Sequence, residues 1–479
     1  MNARATLAGA RIPDVFAGGR WWTADELDGM ARRWQADALE VLARGRSRFV
    51  ATAVPTTPEG VALIAGLSSL PVPLILLAPE TESWPKLAPL PAGTPLLLPP
   101  SLRDLASEAA TLGCPVSVLP AQGPRTDDPP VTPLRSPGLV LFTSGSTGRP
   151  KPVFRSMEAI AGAAGARLDA LGVAPGAGIA FNGSLAHARG ATCLIASMVL
   201  GGPLGLVHPV NHRAALATLG MPEFTCWWAT AHYASLLGRC VLTGPAVVPR
   251  VCLLSTPIAR EVFNAFLNRF GVPIRQTYSS TETGCLTVDC APDDEVRPDT
   301  VGTPIANVAL RVGDDPDTPQ VPGQVGRIWV RTPWRMAGYG FPDRPGEHPQ
   351  LDDWWPTPDV GSLDADGRLR LAGRLDDCIR TREGRLVNMA AVAQLLREIH
   401  GVTEAVVVAL ESEVGLSFGA MVECGGDVSP DGLRARVTDE LPPWARPRRL
   451  TVVSAMPRLA NGKPDRMACA RALRERSDT

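Results

Sequence analysis

Short apolar runs alternate with helical periods along the first two thirds of the chain. "RFVATAV" (48–54), "LVLF" (139–142) and "VCLLS" (251–255) are too short for helices and are bounded by turn or polar residues, so they predict buried strands. "REVFNAFLNRFG" (260–271) repeats its apolar positions at helical spacing and predicts an amphipathic helix. Strands alternating with helices predict parallel α/β sheets covered on both faces. From about residue 305 the texture changes. "NVALRVGDD", "GRIWVRT" and "GRLRLAGRLDD" read as hairpins with Gly and Asp turns. Beyond Asp376 come a helix at 389–400, strands at 403–410 and 419–423, and a helix at 430–441. The expected architecture is α/β: an N-terminal domain (1–375) of parallel sheets plus a β-rich subdomain, and a small α+β C-terminal domain (376–479). The Pro-rich stretch 120–137 reads as a surface connection.

Composition narrows the class only a little. The 479 residues carry a formal net charge of −1, which offers no basic footprint for nucleic acid. The greasiest stretch, residues 61–79, is broken by Gly66, Ser68, Ser69, Pro71 and Pro73, so it predicts a helix and a buried strand rather than a membrane span. The first residues lack the apolar core of a signal peptide, and ten cysteines without a CxxC pair indicate neither zinc nor disulfides. Cys285 and Cys290 read as plain small residues. A reducing cytoplasm is the expected location, and no nucleic-acid or membrane partner is expected.

The chemistry begins at "TSGSTGRPK" (143–151), which follows an expected strand. Glycines let several backbone N–H groups face one anion, hydroxyls add donors, and Lys151 adds charge. A Walker A loop needs GxxxxGK followed by Ser or Thr. Here two residues separate Gly145 from Gly148 and Pro152 follows the lysine, so this is a phosphate loop of another kind. The chain has three lysines, Lys86, Lys151 and Lys463, among 47 basic residues. An ammonium on a flexible stem follows a developing point charge better than a broad guanidinium does.

The loop resembles the signature of the adenylate-forming superfamily of acyl- and aryl-CoA synthetases, adenylation domains and beetle luciferases. "SLAHARG" (184–190), "YSSTETG" (278–284), "TPDVGSLDADGRLRLAGRLDD" (357–377) and "NGKPDR" (461–466) follow in the order of that family's motifs. The resemblance implies ATP, Mg²⁺ and an acyl-adenylate. Thr143, Ser144, Gly145, Ser146, Thr147, Gly148 and Lys151 would cradle the phosphates. Thr281 would contact the α-phosphate and Glu282 would hold the metal. Tyr278 would lie against adenine, Asp359 would bind the ribose, and Arg374 would assist there or at the phosphates. Lys463 would stabilise the charge of the adenylation step, and Asp376 would be the hinge of a mobile C-terminal domain. His187 resembles an aromatic gate beside the acid pocket, which Trp227, Trp228, Ser255, Thr256 and Ser279 would also border.

Several positions depart from the family pattern. Ser255-Thr256-Pro257-Ile258 stands where relatives carry Gly-Gly-Ala-Pro-Leu, Ser279 and Pro358 replace glycines, and Arg327 replaces a common glutamate. They point to a specialised acid. Asn182, where amino-acid-activating relatives carry Asp, disfavours a plain α-amino acid. Three residues rather than two separate Arg380 from Gly384 in the loop that helps form the CoA tunnel. The expected function is therefore an ATP-dependent ligase that joins a small-molecule acid to a thiol. That thiol is CoA or the phosphopantetheine arm of an acyl carrier protein. The alternatives are a non-carboxylate oxyanion such as nitrite, an amine acceptor, or nucleotide binding without catalysis.

Overall fold

The apolar runs bounded by Pro, Gly and Ser are strands in the computed structural model. Val50–Ala53, Leu74–Leu77, Gly178–Phe181 and Val251–Leu254 are buried along their whole length, the state of parallel strands covered on both faces. The structure describes residues 7, 9–45, 47–121, 131–143, 150–208, 210–240, 246–255, 258–317, 321–342, 353–380, 386–412, 415–424, 430–457 and 464–475. Contacts divide the chain into two units. One comprises Met1–Ala309 with Arg331–Asp353, the other Leu310–Val330 with Trp354–Thr479.

Among the described residues the first unit holds two sheets. One runs in the order Gly338–Tyr339, Pro152–Ser156, Gly138–Phe142, Leu74–Leu77, Val50–Ala53, Leu96–Leu98, Val116–Val118. The other runs Thr303–Pro304, Gly284–Val288, Ile274–Ser280, Val251–Leu254, Phe224–Ala229, Gly178–Phe181, Leu204–Leu206, Val15–Ala17, Arg20–Trp22. Interior pairs are parallel and antiparallel strands lie toward the edges. One continuous core joins inward residues of both sheets to the helices Pro58–Leu67, Met157–Ala170 and Ala188–Leu200. Local signals start these helices. Thr57 caps the first and Pro58 fills its opening turn, while Ser156 Oγ accepts from Ala159 N at 3.1 Å in the second.

The second unit begins with the strands Ala309–Gly313, Gly326–Arg331, Trp355–Leu363 and Leu369–Arg374, the hairpin material expected there. It continues with the sheet Val402–Ser412, Gly415–Cys424, Arg449–Val453 and the helices Met389–Glu398, Pro430–Glu440 and Arg466–Glu475.

One expectation fails. In the described part of the Pro-rich stretch, Val131, Leu134 and Ser136 are buried rather than on the surface. Serine hydroxyls tie it to the residues around Ser68 and Val72. Leu134 N donates to Ser68 Oγ at 3.2 Å, and Ser136 Oγ donates to Val72 O at 2.8 Å.

Candidate active site

The expected phosphate loop leaves a strand and returns to its antiparallel neighbour, so its two ends are fixed by sheet pairing. Thr143 N donates to Lys151 O at 3.0 Å, and Lys151 N donates to Thr143 Oγ1 at 3.3 Å. Ser144, Gly145, Ser146, Thr147 and Gly148 lie outside the described residues. Lys151 is exposed, and its Nζ stands 5.2 Å from the centroid of the Tyr339 ring. The Tyr339 hydroxyl donates to Glu282 Oε1 at 3.0 Å. Lys151, Tyr339 and Glu282 thus form a chain that joins the loop to the second motif. Tyr339 was not singled out from the sequence. Its signal was slight: it is one of three tyrosines and stands between Gly338 and Gly340.

The second motif is a turn between Ile274–Ser280 and Gly284–Val288. Thr283 N donates to Ser280 Oγ at 3.1 Å, and Met336 N donates to Glu282 O at 2.6 Å. These bonds hold Thr281 and Glu282 at the tip of the turn. Gly284 closes it at φ 74°, where a Cβ would also fall 2.5 Å from Arg155 Nη2. Glycine serves both the left-handed backbone and the approach of that guanidinium.

A cavity of about 460 Å³ opens between these motifs, a size suited to a small ligand. Thr143, His187, Ser255, Ser279 and Thr281 line it, so five expected positions from four segments converge. His187 is exposed at the N-cap of the helix Ala188–Leu200. Thr256 lies outside the described residues. Tyr278, Trp227 and Trp228 do not line the cavity. Tyr278 is 5% exposed within the sheet. Successive residues of a strand face opposite sides, so adjacent tryptophans cannot share one wall. Trp227 stacks on Phe266 in one core cluster and Trp228 belongs to the other. Asn182 is likewise occupied: its Oδ1 accepts from Trp227 Nε1 at 3.0 Å, and its Nδ2 donates to Thr230 Oγ1 at 2.9 Å.

Three guanidiniums that the sequence reading passed over also line the cavity: Arg155, Arg167 and Arg189. Among the described residues none of its lining is an Asp or Glu. Burial, and then repulsion by Arg167, push Arg155 down to about 10. Burial pushes Arg189 down to about 10 as well, with Arg167 adding to the effect. Both stay charged at neutral pH. Arg155 Nε donates to Trp334 O at 3.1 Å and its Nη2 to Ala159 O at 3.2 Å. Arg189 donates to the carbonyls of Ala229, Asn182 and Trp228. The guanidinium of Arg167 lies 3.6 Å over the Trp228 ring, and its buried Nε has no hydrogen-bond partner among the described residues. The signal for Arg167 was present: it continues the apolar stripe Ile160, Ala163, Ala164 at helical spacing. Neighbouring thiols are not nucleophiles. Burial pushes Cys226 up to about 12 and Cys193 higher still.

In the second unit Asp359 and Arg374 are cross-strand partners, and Asp359 N donates to Thr357 Oγ1 at 3.2 Å. The backbone of Asp376 lies in the short turn Leu375–Asp377. Lys463 lies outside the described residues, but the segment that follows it is anchored. Asp465 Oδ1 accepts from Met467 N and Ala468 N at 3.0 Å each, and Arg466 Nη1 pairs with Asp377 Oδ1 at 3.1 Å.

Mg²⁺ usually takes one or two protein carboxylates and completes its shell with phosphate oxygens and water. The residues fit that use. Glu282 presents a carboxylate at the turn, and no cluster of three or more acidic, His or Cys ligands occurs among the described residues. Among those residues no helix is long and apolar enough to cross a membrane.

The family model described as AMP-binding enzyme matches residues 93–340, more than half of the chain, and that of the AMP-binding enzyme C-terminal domain matches 391–463. The chain is 28% identical over 441 residues to the sulfoacetate–CoA ligase of Cupriavidus necator, covering 89% of this chain and 78% of that one. It is 28% identical over 366 residues to CymA of Salinispora arenicola, described as a nonribosomal peptide synthetase, covering 72% of this chain and 4% of that one. The solved structure of the amide bond synthetase McbA from Marinactinospora thermotolerans matches with a TM-score of 0.74 and 25% identity, covering 98% of this chain and 99% of that one.

Proposed function

The chain belongs to the AMP-binding enzyme family and is an adenylate-forming ligase, and on that premise we propose that it activates a carboxylic acid and transfers the acyl group to a thiol. In the first step a carboxylate oxygen attacks the α-phosphorus of ATP, the bond to the β-phosphate oxygen breaks, and pyrophosphate leaves. In the second step a thiol displaces AMP from the acyl-adenylate and releases one proton. Two anions must approach each other in the first step, so a site serves it by neutralising charge and fixing geometry.

The observation that carries this reading is the convergence of Thr143, Thr281 and His187 on one cavity, with Lys151 tied to Glu282 through Tyr339. Thr143 and Lys151 are proposed at the phosphates, and Thr281 at the α-phosphate. Asp359 and Arg374 are proposed at the ribose, and Lys463 at the reacting oxygens. Glu282 would hold Mg²⁺, which supplies positive charge to the phosphates when bound. His187 is proposed as the gate at the acid. Asp376 is proposed as the pivot between the two steps.

Transfer to an amine is a second reading, supported by the full-length likeness to an amide bond synthetase. The acceptor is decided by supplying CoA, a holo carrier protein or an alkylamine to enzyme that holds a preformed adenylate, with products followed by mass spectrometry. Thioester with CoA or the carrier protein is expected. Amide formation with both thiols silent would replace the thiol reading.

A further inference from the structure

The arginines of the cavity raise a question of charge. A guanidinium removed from water needs a carboxylate, a phosphate or a full set of hydrogen bonds. Arg155 and Arg189 spend donors on backbone carbonyls, which fixes them as part of the wall. Arg167 differs. It is 3% exposed, it lines the cavity, and its Nε has no partner among the described residues. Stacking on Trp228 sets the plane of its guanidinium, and a planar fork with free N–H groups matches the two oxygens of a carboxylate.

Its surroundings coincide with those of Arg155 only in part. Arg155 is the guanidinium whose charge couples to Glu282. The charge of Arg167 acts on Cys193 and Cys226, which belong to the helix Ala188–Leu200 and the strand Phe224–Ala229. Arg167 also acts on Arg155, so both guanidiniums add positive charge to one cavity, which His187 and Thr192 line as well.

We propose that the cavity takes an acid with a second fixed anionic group, a carboxylate or sulfonate remote from the carboxylate that reacts, and that Arg167 binds this second anion. The proposal rests on the acid-activating reading above and specifies its substrate class. Arg155 and Arg189 add long-range positive charge without spending further hydrogen bonds. A neutral acid of the same shape would leave the buried charge of Arg167 uncompensated, so discrimination by charge follows from the same feature.

The test compares isophthalate with its half-amide 3-carbamoylbenzoate, and succinate with succinamate, in ATP–pyrophosphate exchange by the full chain. The expected result is a kcat/KM preference for the diacid on the order of 100-fold in at least one pair, since a site built for an anion rejects the analogue that lacks it. In Arg167→Met the preference falls to roughly threefold or less, with the ATP dissociation constant within about twofold of the parent. Arg167→Lys, which keeps the charge without the fork, recovers part of it and guards against a folding defect in the first variant. Equal rates for acid and half-amide in both pairs would overturn the proposal. So would a large loss of ATP affinity in Arg167→Met, which would assign the arginine to the nucleotide. If no acid drives exchange, the activating reading fails by itself. The anion site is then decided by calorimetry of isophthalate without ATP: binding that Arg167→Met abolishes supports it, and no binding to the intact chain sinks it.

Discussion

At the scale of single residues, Tyr339 does the most with one atom. Its hydroxyl donates to Glu282 Oε1 while its ring lies under Lys151 Nζ. A hydrogen bond to a charged group contributes about 1.5–3 kcal/mol. Tyr339 is half exposed, which favours the lower figure. Tyr339→Phe keeps the ring and removes the bond. It should slow ATP–pyrophosphate exchange roughly tenfold, or about 1.4 kcal/mol, and raise the Mg²⁺ concentration at half-maximal rate. An unchanged Mg²⁺ dependence would show that Glu282 is oriented without the tyrosine. The glycines make a related point about legibility. Gly284 was read as part of a family motif, but the need for it comes from Arg155, which packs where a Cβ would stand. Nothing in the sequence announces that contact, because the two residues are far apart along the chain.

At the scale of elements, the helix Met157–Ala170 links local sequence to the cavity. Ser156 caps its start and Arg167 occupies its last turn. An N-cap serine contributes about 1 kcal/mol. Ser156→Ala should therefore lower the urea midpoint by an amount equivalent to about 1 kcal/mol with an unchanged slope, and should weaken whatever Arg167 binds. A full-strength helix in that variant would remove the cap from the account. The elements themselves were largely legible. Expected strands at 48–54, 139–142 and 251–255 appear as Val50–Ala53, Gly138–Phe142 and Val251–Leu254, and the expected helix at 260–271 as Arg260–Phe270. Periodicity carries that information wherever a run is bounded by turn residues. Side-chain direction was less legible. The pair Trp227 and Trp228 reads as one aromatic wall until strand alternation sends one ring to each face of the sheet. Arg167 stands on an apolar stripe, where a lone charge reads as an irregularity, and its place beside the cavity comes only from the fold.

At the scale of the whole molecule, the motifs divide between two units. Thr143, Lys151, Thr281 and Glu282 belong to the first, and Asp359, Arg374 and Lys463 to the second. The order of motifs along the chain was readable because each is a local string. The partition was less so, because the strands Ala309–Gly313 and Gly326–Arg331 group with the later residues although Arg331–Asp353 returns to the first unit. The account as a whole depends on the ammonium proposed at the reacting oxygens. Lys463 should matter to the transition state more than to bound ATP, since charge develops on the reacting oxygens only there. The deciding measurement is acid-dependent ATP–pyrophosphate exchange by the intact chain and by Lys463→Ala, with ATP affinity measured in parallel. The account predicts exchange that requires an acid and falls on the order of 100-fold or more in the variant, at nearly unchanged ATP affinity. Exchange that survives in Lys463→Ala, or a loss explained entirely by weaker ATP binding, would contradict it.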